Sequence, residues 1–519
     1  MIQRSKMRPR RQGGLVNIML LFILSLIVLI PMCGLAVDTI MMYVVRTRLQ
    51  SAADAAALAA GRALNVNQPL ASQSTYAQGR ATAFFNANFP SGYMLSSNPT
   101  VVVDPPFYGT GTNARVLYTT VHGQADAPLF FMRYLISNTT TVKVIAQSAR
   151  RDINLIMVLD TSGSMSGTPC TTMKSAAQNF VNYFSPGRDT IGLVTFDGAY
   201  SIDYAPAKTF MSGSPNLQGA IAAITCGGNT GTAQALNKAY NLITGIGQPS
   251  ALNVLVFFTD GQPNGVTATF PIRRGADNRY GDGVSSTPSG CPNNSTTVTC
   301  NYPASTCANT SNTVTGYVAE WNGGPASTGV TAGVGGITNE AAVTSPGNCY
   351  FNTNETSMRR DVAYIPSTDI YGNATSGYKT DFVLVNPVAN SYYSAGRDTF
   401  PTGHPYAAKI RPDVPGAVAN ASLNAADAQG ATIRADSTYD ILIYSIGLGG
   451  NPGYPPDTDF MVRMSNVPSA VDPYTGATVT NSKPYDANRP QGMFVYVTDP
   501  NQLNQAFAQL ASSILRLNQ

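Results

Sequence analysis

The stretch INLIMVLDTSGSMSG, Ile153 to Gly167, decides the fold. It opens as an apolar run broken only by Asn154 and closed by Asp160, the pattern of a strand buried on both faces of a parallel sheet. Behind it come Thr161, Ser162, Ser164 and Ser166, so one carboxylate and four hydroxyls crowd the mouth of that strand. The whole chain is only 12% charged, about half the usual share, and such massed polarity needs a reason.

Working outward, strands and helices alternate. Met173, Ala177, Phe180, Val181 and Phe184 recur at helical spacing, and DTIGLVTF (189–196) reads as a second strand. TAQALNKAYNLI (232–243) is helical, and ALNVLVFFTDG (251–261) is another apolar strand ending in an aspartate. Farther on lie a helix near 424–435 and strands near 439–449 and 492–499. A last helix carries Leu503, Phe507, Leu510 and Ile514 on one face, with Asp499, Pro500 and Gln502 forming its capping box. This order predicts an α/β fold, a doubly wound and mainly parallel sheet, over 152–519. Residues 263–423 break the pattern, being rich in Asn, Ser, Thr, Gly, Pro and Tyr. A structureless loop of that size is foreign to a compact domain, so an inserted, disulfide-stapled subdomain is expected there. Its Trp321 and tyrosines suit a small packed core better than a contact surface.

The front of the chain differs. Residues 1–14 carry Arg4, Lys6, Arg8, Arg10 and Arg11 and no acid; the net charge of +4 becomes −1 without them, which excludes a basic nucleic-acid surface. Leu15 to Val37 holds 23 residues without a charge, roughly 35 Å of helix and enough to cross a bilayer. The basic tail predicts a cytoplasmic amino terminus with everything after Asp38 outside. A cleaved signal peptide ending near Gly34-Leu35-Ala36 is the alternative, but the apolar run is too long and the helical pattern continues to about Leu64. Residues 65–150 read as a small α+β module, with strands near 100–104, 114–123 and 140–149 and a short helix in APLFFMRYLI (127–136).

Beyond Cys33 there are six cysteines: Cys170, Cys226, Cys291, Cys300, Cys307 and Cys349. In an oxidising compartment they suggest three disulfides; a zinc site from the last four is disfavoured because no C-x-x-C occurs.

Open parallel sheets bind ligands at the carboxyl ends of their strands. Three features converge there: Asp160-x-Ser162-x-Ser164, the loop CGGNTGTAQAL (226–236) with Thr230 and Thr232, and Asp260 closing FFTDG. Two carboxylates and several hydroxyls form an all-oxygen set suited to a hard divalent cation, magnesium first and calcium or manganese as alternatives. Helix capping and loop satisfaction would explain one such motif, not three at successive sheet positions.

VLDTSGSM, GGNTGT and VFFTDGQPN resemble the metal-ion-dependent adhesion site of von Willebrand factor A domains, over about 152–262 and again 424–517. The resemblance implies direct metal ligation by Ser162 and Ser164. It implies ligation by Thr230, Asp160 and Asp260 either directly or through water, with a free position for a partner's acidic side chain. Cys170 and Cys226 would flank the metal loops, so a disulfide between them is expected, with pairing into the insertion as the rival. RRQGG, GLAVD and LQSAADAAALA resemble the TadE/TadG-like amino terminus of tight-adherence (Tad, Flp pilus) assembly proteins. Prepilin-like members carry glutamate five residues after the cleaved glycine; here that residue is Met19, so the motif does not support processing at Gly14.

Together the two halves resemble TadG-type proteins. The implied function is a single-pass binding protein of the bacterial inner membrane, amino terminus cytoplasmic and outer domains periplasmic or extracellular. Its partners would be pilus-assembly components or another protein offering an acidic group, and not nucleic acid. A free-standing adhesin and a scaffold whose metal only stabilises the fold are the alternatives. An enzyme is not expected: no G-x-S-x-G surrounds Ser162 or Ser164, and the chain has only His122 and His404.

Overall fold

The computed structural model describes residues 13–64, 70–134, 137–271, 313–321, 333–338, 364–378, 399, 402, 406–410, 415–449, 456–471, 478–480 and 485–517. Most of the expected insertion, including Cys291, Cys300, Cys307 and Cys349, and also His404 fall outside them.

Helix α1 (Gly13–Ala63) is continuous through Pro31. From Met19 to Cys33 every described side chain is exposed. A buried stripe then begins at Gly34 and steps through Asp38, Val45, Leu49, Ala52 and Ala56, one helical face at spacings of three, four and seven. Small alanines let this half of the helix lie close against its neighbours. Those neighbours are α2 (Leu70–Asn88) and an antiparallel sheet of β1 (Ser97–Val103), β2 (Phe107–Tyr108), β3 (Val116–Pro128) and β4 (Thr139–Arg151). Phe85, Val121 and Ala125 lie in their shared core.

Over its described residues, 127–134, APLFFMRYLI is not the short helix its composition suggests. Strand β3 runs on through Ala127 and Pro128, paired with Thr140 and Thr139 of β4, and only Met132–Tyr134 form a single 3₁₀ turn. The Asp38 carboxylate accepts the backbone N–H groups of Phe130, Phe131 and Met132, a partner that sequence periodicity cannot reveal.

Only Asp152 separates β4 from the next strand, β5 (Ile153–Asp160). Its backbone pairs with both sides, the N–H donating to Arg115 O and the carbonyl accepting from Leu252. Beside it lies a buried polar seam. Arg150, from this amino-terminal module, and Arg188, from the carboxy-terminal domain, both donate to the Leu64 carbonyl at the end of α1. Asp189 sits 3.6 Å from Arg150 and 3.3 Å from Arg188, while also accepting the N–H of Ser185. All three charged side chains are essentially inaccessible to water.

The carboxy-terminal domain is built on six strands. β5 is followed by α3 (Thr168–Val181), β6 (Thr190–Phe196), β7 (Tyr200–Ala207), α4 (Leu217–Ala223), α5 (Thr232–Gly245) and β8 (Leu252–Thr259). A three-stranded antiparallel sheet comes next, from β9 (Gly265–Pro271), β10 (Thr313–Trp321) and β11 (Gly333–Thr338). Then follow α6 (Pro415–Ala435), β12 (Leu442–Leu448), α7 (Thr458–Met464), the short pair β13 (Ser469–Val471) and β14 (Thr478–Thr480), β15 (Met493–Val497) and α8 (Leu503–Leu517). The large sheet runs β15-β12-β8-β5-β6-β7, parallel except for β7.

Every residue of β5, β6, β8 and β12 is buried. Alternate residues feed two cores: Leu155, Met157 and Leu159 pack with α3, α4 and α8, and Ile156 and Val158 with α5, α6 and α7. This is the expected doubly wound α/β fold. Several elements escape the sequence reading, among them the 19-residue α2 of the first module, the short strands β13 and β14, and β7, α4 and α7. β7 is half-exposed and carries Pro206, while α4 and α7 have seven residues each, too few to show a period. At the last helix, Asp499 caps as expected, though through a 3₁₀ turn, Pro500–Gln502, that precedes α8.

Cys170 in α3 and Cys226 in the α4–α5 loop form a disulfide. The pairing expected from the loop positions is therefore present.

Two stability predictions follow from these ties. Asp189→Ala strands two buried arginines and should cost about 3–5 kcal/mol, seen as a sharply lower melting midpoint of the solubilised chain. Replacing Cys170 and Cys226 together with serine opens a loop whose ends are 56 residues apart. Chain entropy alone puts that loss at about 4 kcal/mol, and peptide mapping without reductant should recover the 170–226 link.

Candidate functional site

In strand order the sheet reverses between β5 and β8: the chain first builds outward from β5 through β6 to β7, then returns to add β8, β12 and β15 on the other side. The crevice beyond the carboxyl ends of β5 and β8 is where such sheets take ligands. Asp160 ends β5 and Asp260 directly follows β8, so both carboxylates are delivered there.

The structure brings four of the five predicted residues into one hydrogen-bonded cluster. Ser162 Oγ lies 3.0 Å from Ser164 Oγ, and Ser164 Oγ donates to Asp260 Oδ1 at 2.7 Å. Asp160 Oδ1 accepts the Ser162 N–H at 2.8 Å, while Thr259 Oγ1 donates to Asp160 Oδ2 at 2.5 Å. Accessibility is graded across the cluster: Asp160 is 0% exposed, Ser162 and Asp260 are buried, and Ser164 faces solvent. The fifth residue, Thr230, is buried at the rim but joins through its backbone, its N–H donating to Asn264 Oδ1 and its carbonyl accepting from Asn264 N. Among the described residues its hydroxyl has no hydrogen bond to the serines or aspartates. The neighbouring Thr232 hydroxyl is buried without a partner.

Three backbone bonds lace the serine loop to its neighbours. Thr161 N donates to Phe196 O, Gly163 N to Gly228 O, and Gly227 N to Thr161 O. Gly228 is required here: its φ is +101°, and a Cβ would stand 3.0 Å from the Asp197 side chain. The disulfide joins the outer ends of the same two loops. From the insertion, Tyr317 of β10 reaches Gly198 and covers Gly265, and Gly198 also neighbours Asn229, beside Thr230. The described part of the insertion thus abuts the rim of the site.

Electrostatically the cluster is unbalanced. Burial pushes both the Asp160 and Asp260 carboxyls above the ordinary carboxylate range, and the charge of Asp160 raises Asp260 further. Asp197 adds to the strain on Asp160. Among the described residues no Lys, Arg or His pairs with either buried acid. The donor set fits a hard divalent cation: it is all oxygen, already converged to hydrogen-bond distance, and carries two acids with no countercharge.

Asp197, Thr259 and Asn264 are the residues the sequence reading missed. Asp197 had a signal, since it is a third aspartate at the end of a buried strand. Asn264 had none. His122 lies in the module's sheet, 2.9 Å from Asp104, and takes no part in the cluster.

Comparison with known proteins bears on both halves. The von Willebrand factor type A domain family matches residues 155–262, and the Flp pilus-assembly TadE/G-like family matches residues 14–63. No curated protein matches the chain. Among solved structures, the pilus adhesin SpaC from Lactobacillus rhamnosus GG is 10% identical with a TM-score of 0.33, covering 81% of this chain and 34% of that one. This chain therefore spans about a third of that adhesin. The vWF domain of the type V pili tip protein Mfa5 from Porphyromonas gingivalis is 17% identical with a TM-score of 0.33, covering 72% and 98%. The PilB minor pilin from Streptococcus sanguinis is 11% identical with a TM-score of 0.33, covering 81% and 79%. These superpositions are partial and concern fold alone, so the assignment rests on the two family matches and the sheet order. The chain joins a TadE/G-like amino terminus to a von Willebrand factor type A domain.

Proposed function

We propose that this protein is a membrane-anchored, extracytoplasmic binding protein of a Tad/Flp-type pilus assembly or adhesion system, and that it recognises an acidic group of a protein partner through a divalent cation, magnesium first. One observation carries this reading: Asp160, Ser162, Ser164 and Asp260 meet at the switch point of the sheet with two buried carboxylates and, among the described residues, no countercharge. The amino-terminal match supports the pilus context. The apolar half of α1, long enough to cross a membrane, supports anchoring. A disulfide in the outer domain suits an oxidising compartment, hence an amino terminus on the cytoplasmic side.

In this mechanism Ser162 and Ser164 would hold the ion directly, and Thr230, Asp160 and Asp260 would ligate it directly or through water. A bound ion supplies positive charge and a position open to a partner's carboxylate. The chain's own groups set the stage. Thr259 and the Ser162 N–H orient Asp160, and the laced loops with their disulfide keep the donors together before a partner arrives. Exposed Ser164 marks the side from which the partner approaches. The complete burial of Asp160 favours a second reading, an ion that only stabilises the loops.

Asp160→Ala separates the two. On the binding reading it abolishes calorimetric magnesium binding and retention of partner proteins from solubilised membranes, with the circular dichroism unchanged; chelator reproduces the loss. Retention that survives both treatments, alongside a lowered melting point, leaves only the structural ion.

The pH dependence has a definite sign. Both acids titrate high in the native chain, so between about pH 4 and neutrality the native state holds more protons than the unfolded one. Chelated protein should therefore melt higher as pH falls from 7.5 to 5.5. Magnesium affinity should fall over the same range, up to about tenfold per unit for each proton displaced, because the ion competes with those protons. Asp260→Asn should flatten the first trend.

A further inference from the structure

We propose that the loop between β3 and β4, Leu129 to Tyr134, is a second membrane contact: a foot whose aromatic side chains sit in the outer interface of the bilayer that α1 crosses. The proposal rests on reading Leu15 to Val37 as the span.

Position is the first argument. The loop touches α1 at the outer end of the apolar run: Phe131 lies on Gly34, inside it, and the backbone of Phe130 to Met132 on Asp38, one residue past it. A Cβ at Gly34 would stand 2.6 Å from the Phe131 ring, so the ring lies directly on that glycine. Gly34 is nineteen residues after Leu15, or roughly 29 Å of helix rise, against a hydrocarbon core of roughly 30 Å. Whatever packs on Gly34 is therefore level with the edge of the hydrocarbon.

Surface chemistry is the second. Phe130, Phe131 and Tyr134 are 37%, 45% and 77% exposed although β3 and β4 have a buried face available to them. Arg133 lies over the Tyr134 ring at 4.7 Å and donates to its hydroxyl at 2.7 Å, pairing a cation suited to lipid phosphate with an amphipathic ring. Aromatic residues of this kind gather where membrane meets water, and basic side chains there reach for the headgroups.

Backbone satisfaction is the third. A loop entering an interface loses water as a partner for its N–H groups. Here Asp38, itself at the end of the apolar run, accepts the N–H groups of Phe130, Phe131 and Met132, and Leu129 N donates to Asn138 O. The carboxylate that would be a liability beside the membrane is fully occupied in holding the foot. A helix alone can tilt and rotate about its axis; a helix with a foot one turn inside its outer end has its depth and rotation set.

The test uses the full chain in nanodiscs with Trp321, the native tryptophan, replaced by phenylalanine. Tyr134→Trp then places one indole on the foot, and Leu24→Trp, in a separate chain, places one mid-span. Lipids brominated near the glycerol end of the acyl chains should quench position 134 and shift its emission to the blue; lipids brominated deep in the chains should quench position 24. Quenching at 24 without quenching or shift at 134 overturns the foot and leaves the span intact. A blue shift at 134 without quenching also overturns it, since protein then covers the loop. No quenching at either position removes the span and the foot with it.

Discussion

Two carboxylates buried side by side repel, and the architecture around the site is organised by that fact. Asp160 and Asp260 are carried to the same place because β5 and β8 are adjacent parallel strands that end together. Neither acid has a cationic partner among the described residues, and both are held by hydroxyls and backbone instead. A hydroxyl screens a charge without neutralising it. The pair therefore stays poised for a proton or a metal ion, and the neighbouring loops are cross-linked tightly enough to keep it so. Gly228, the bonds from Thr161 and Gly163, and the Cys170–Cys226 disulfide all serve that constraint.

The same economy appears where the amino-terminal module meets the carboxy-terminal domain. Arg150 and Arg188 approach one carbonyl, that of Leu64, from opposite sides of the boundary, with Asp189 between them. Burial without water makes this seam intolerant of a missing partner. Asp152 lies next to it, its carboxyl pushed up to about 6 by burial and drawn partly back by Lys208. Charge is scarce in this chain, and it is concentrated where parts must be held in fixed relation.

Much of this was legible beforehand. Strands such as 153–160 and 252–259 announce themselves because burial on both faces demands an unbroken apolar run. The site was legible for a related reason: hydroxyls and acids at the ends of such runs have no packing role to explain them. What stayed hidden was tertiary. Asn264 holds Thr230 across a gap of 34 residues, and Asp38 holds the 130–132 backbone across more than 90, neither with a local pattern. That long-range acceptor also accounts for residues 127–134, helical by composition, forming a strand end and a turn. Short or half-exposed elements such as α4, α7 and β7 carry too little periodicity to be seen.

The single-residue junction at Asp152 has a mechanical consequence. Tension applied at the Asp160 end of β5 runs straight down that strand, through Asp152 and into β4, with no linker to stretch on the way. Because β5 is hydrogen-bonded along its length to β6 on one side and β8 on the other, an axial pull loads those bonds in shear, all at once. Two strands joined this way resist extension as a strut does, and carry force applied at Asp160 into the sheet of β4 undamped.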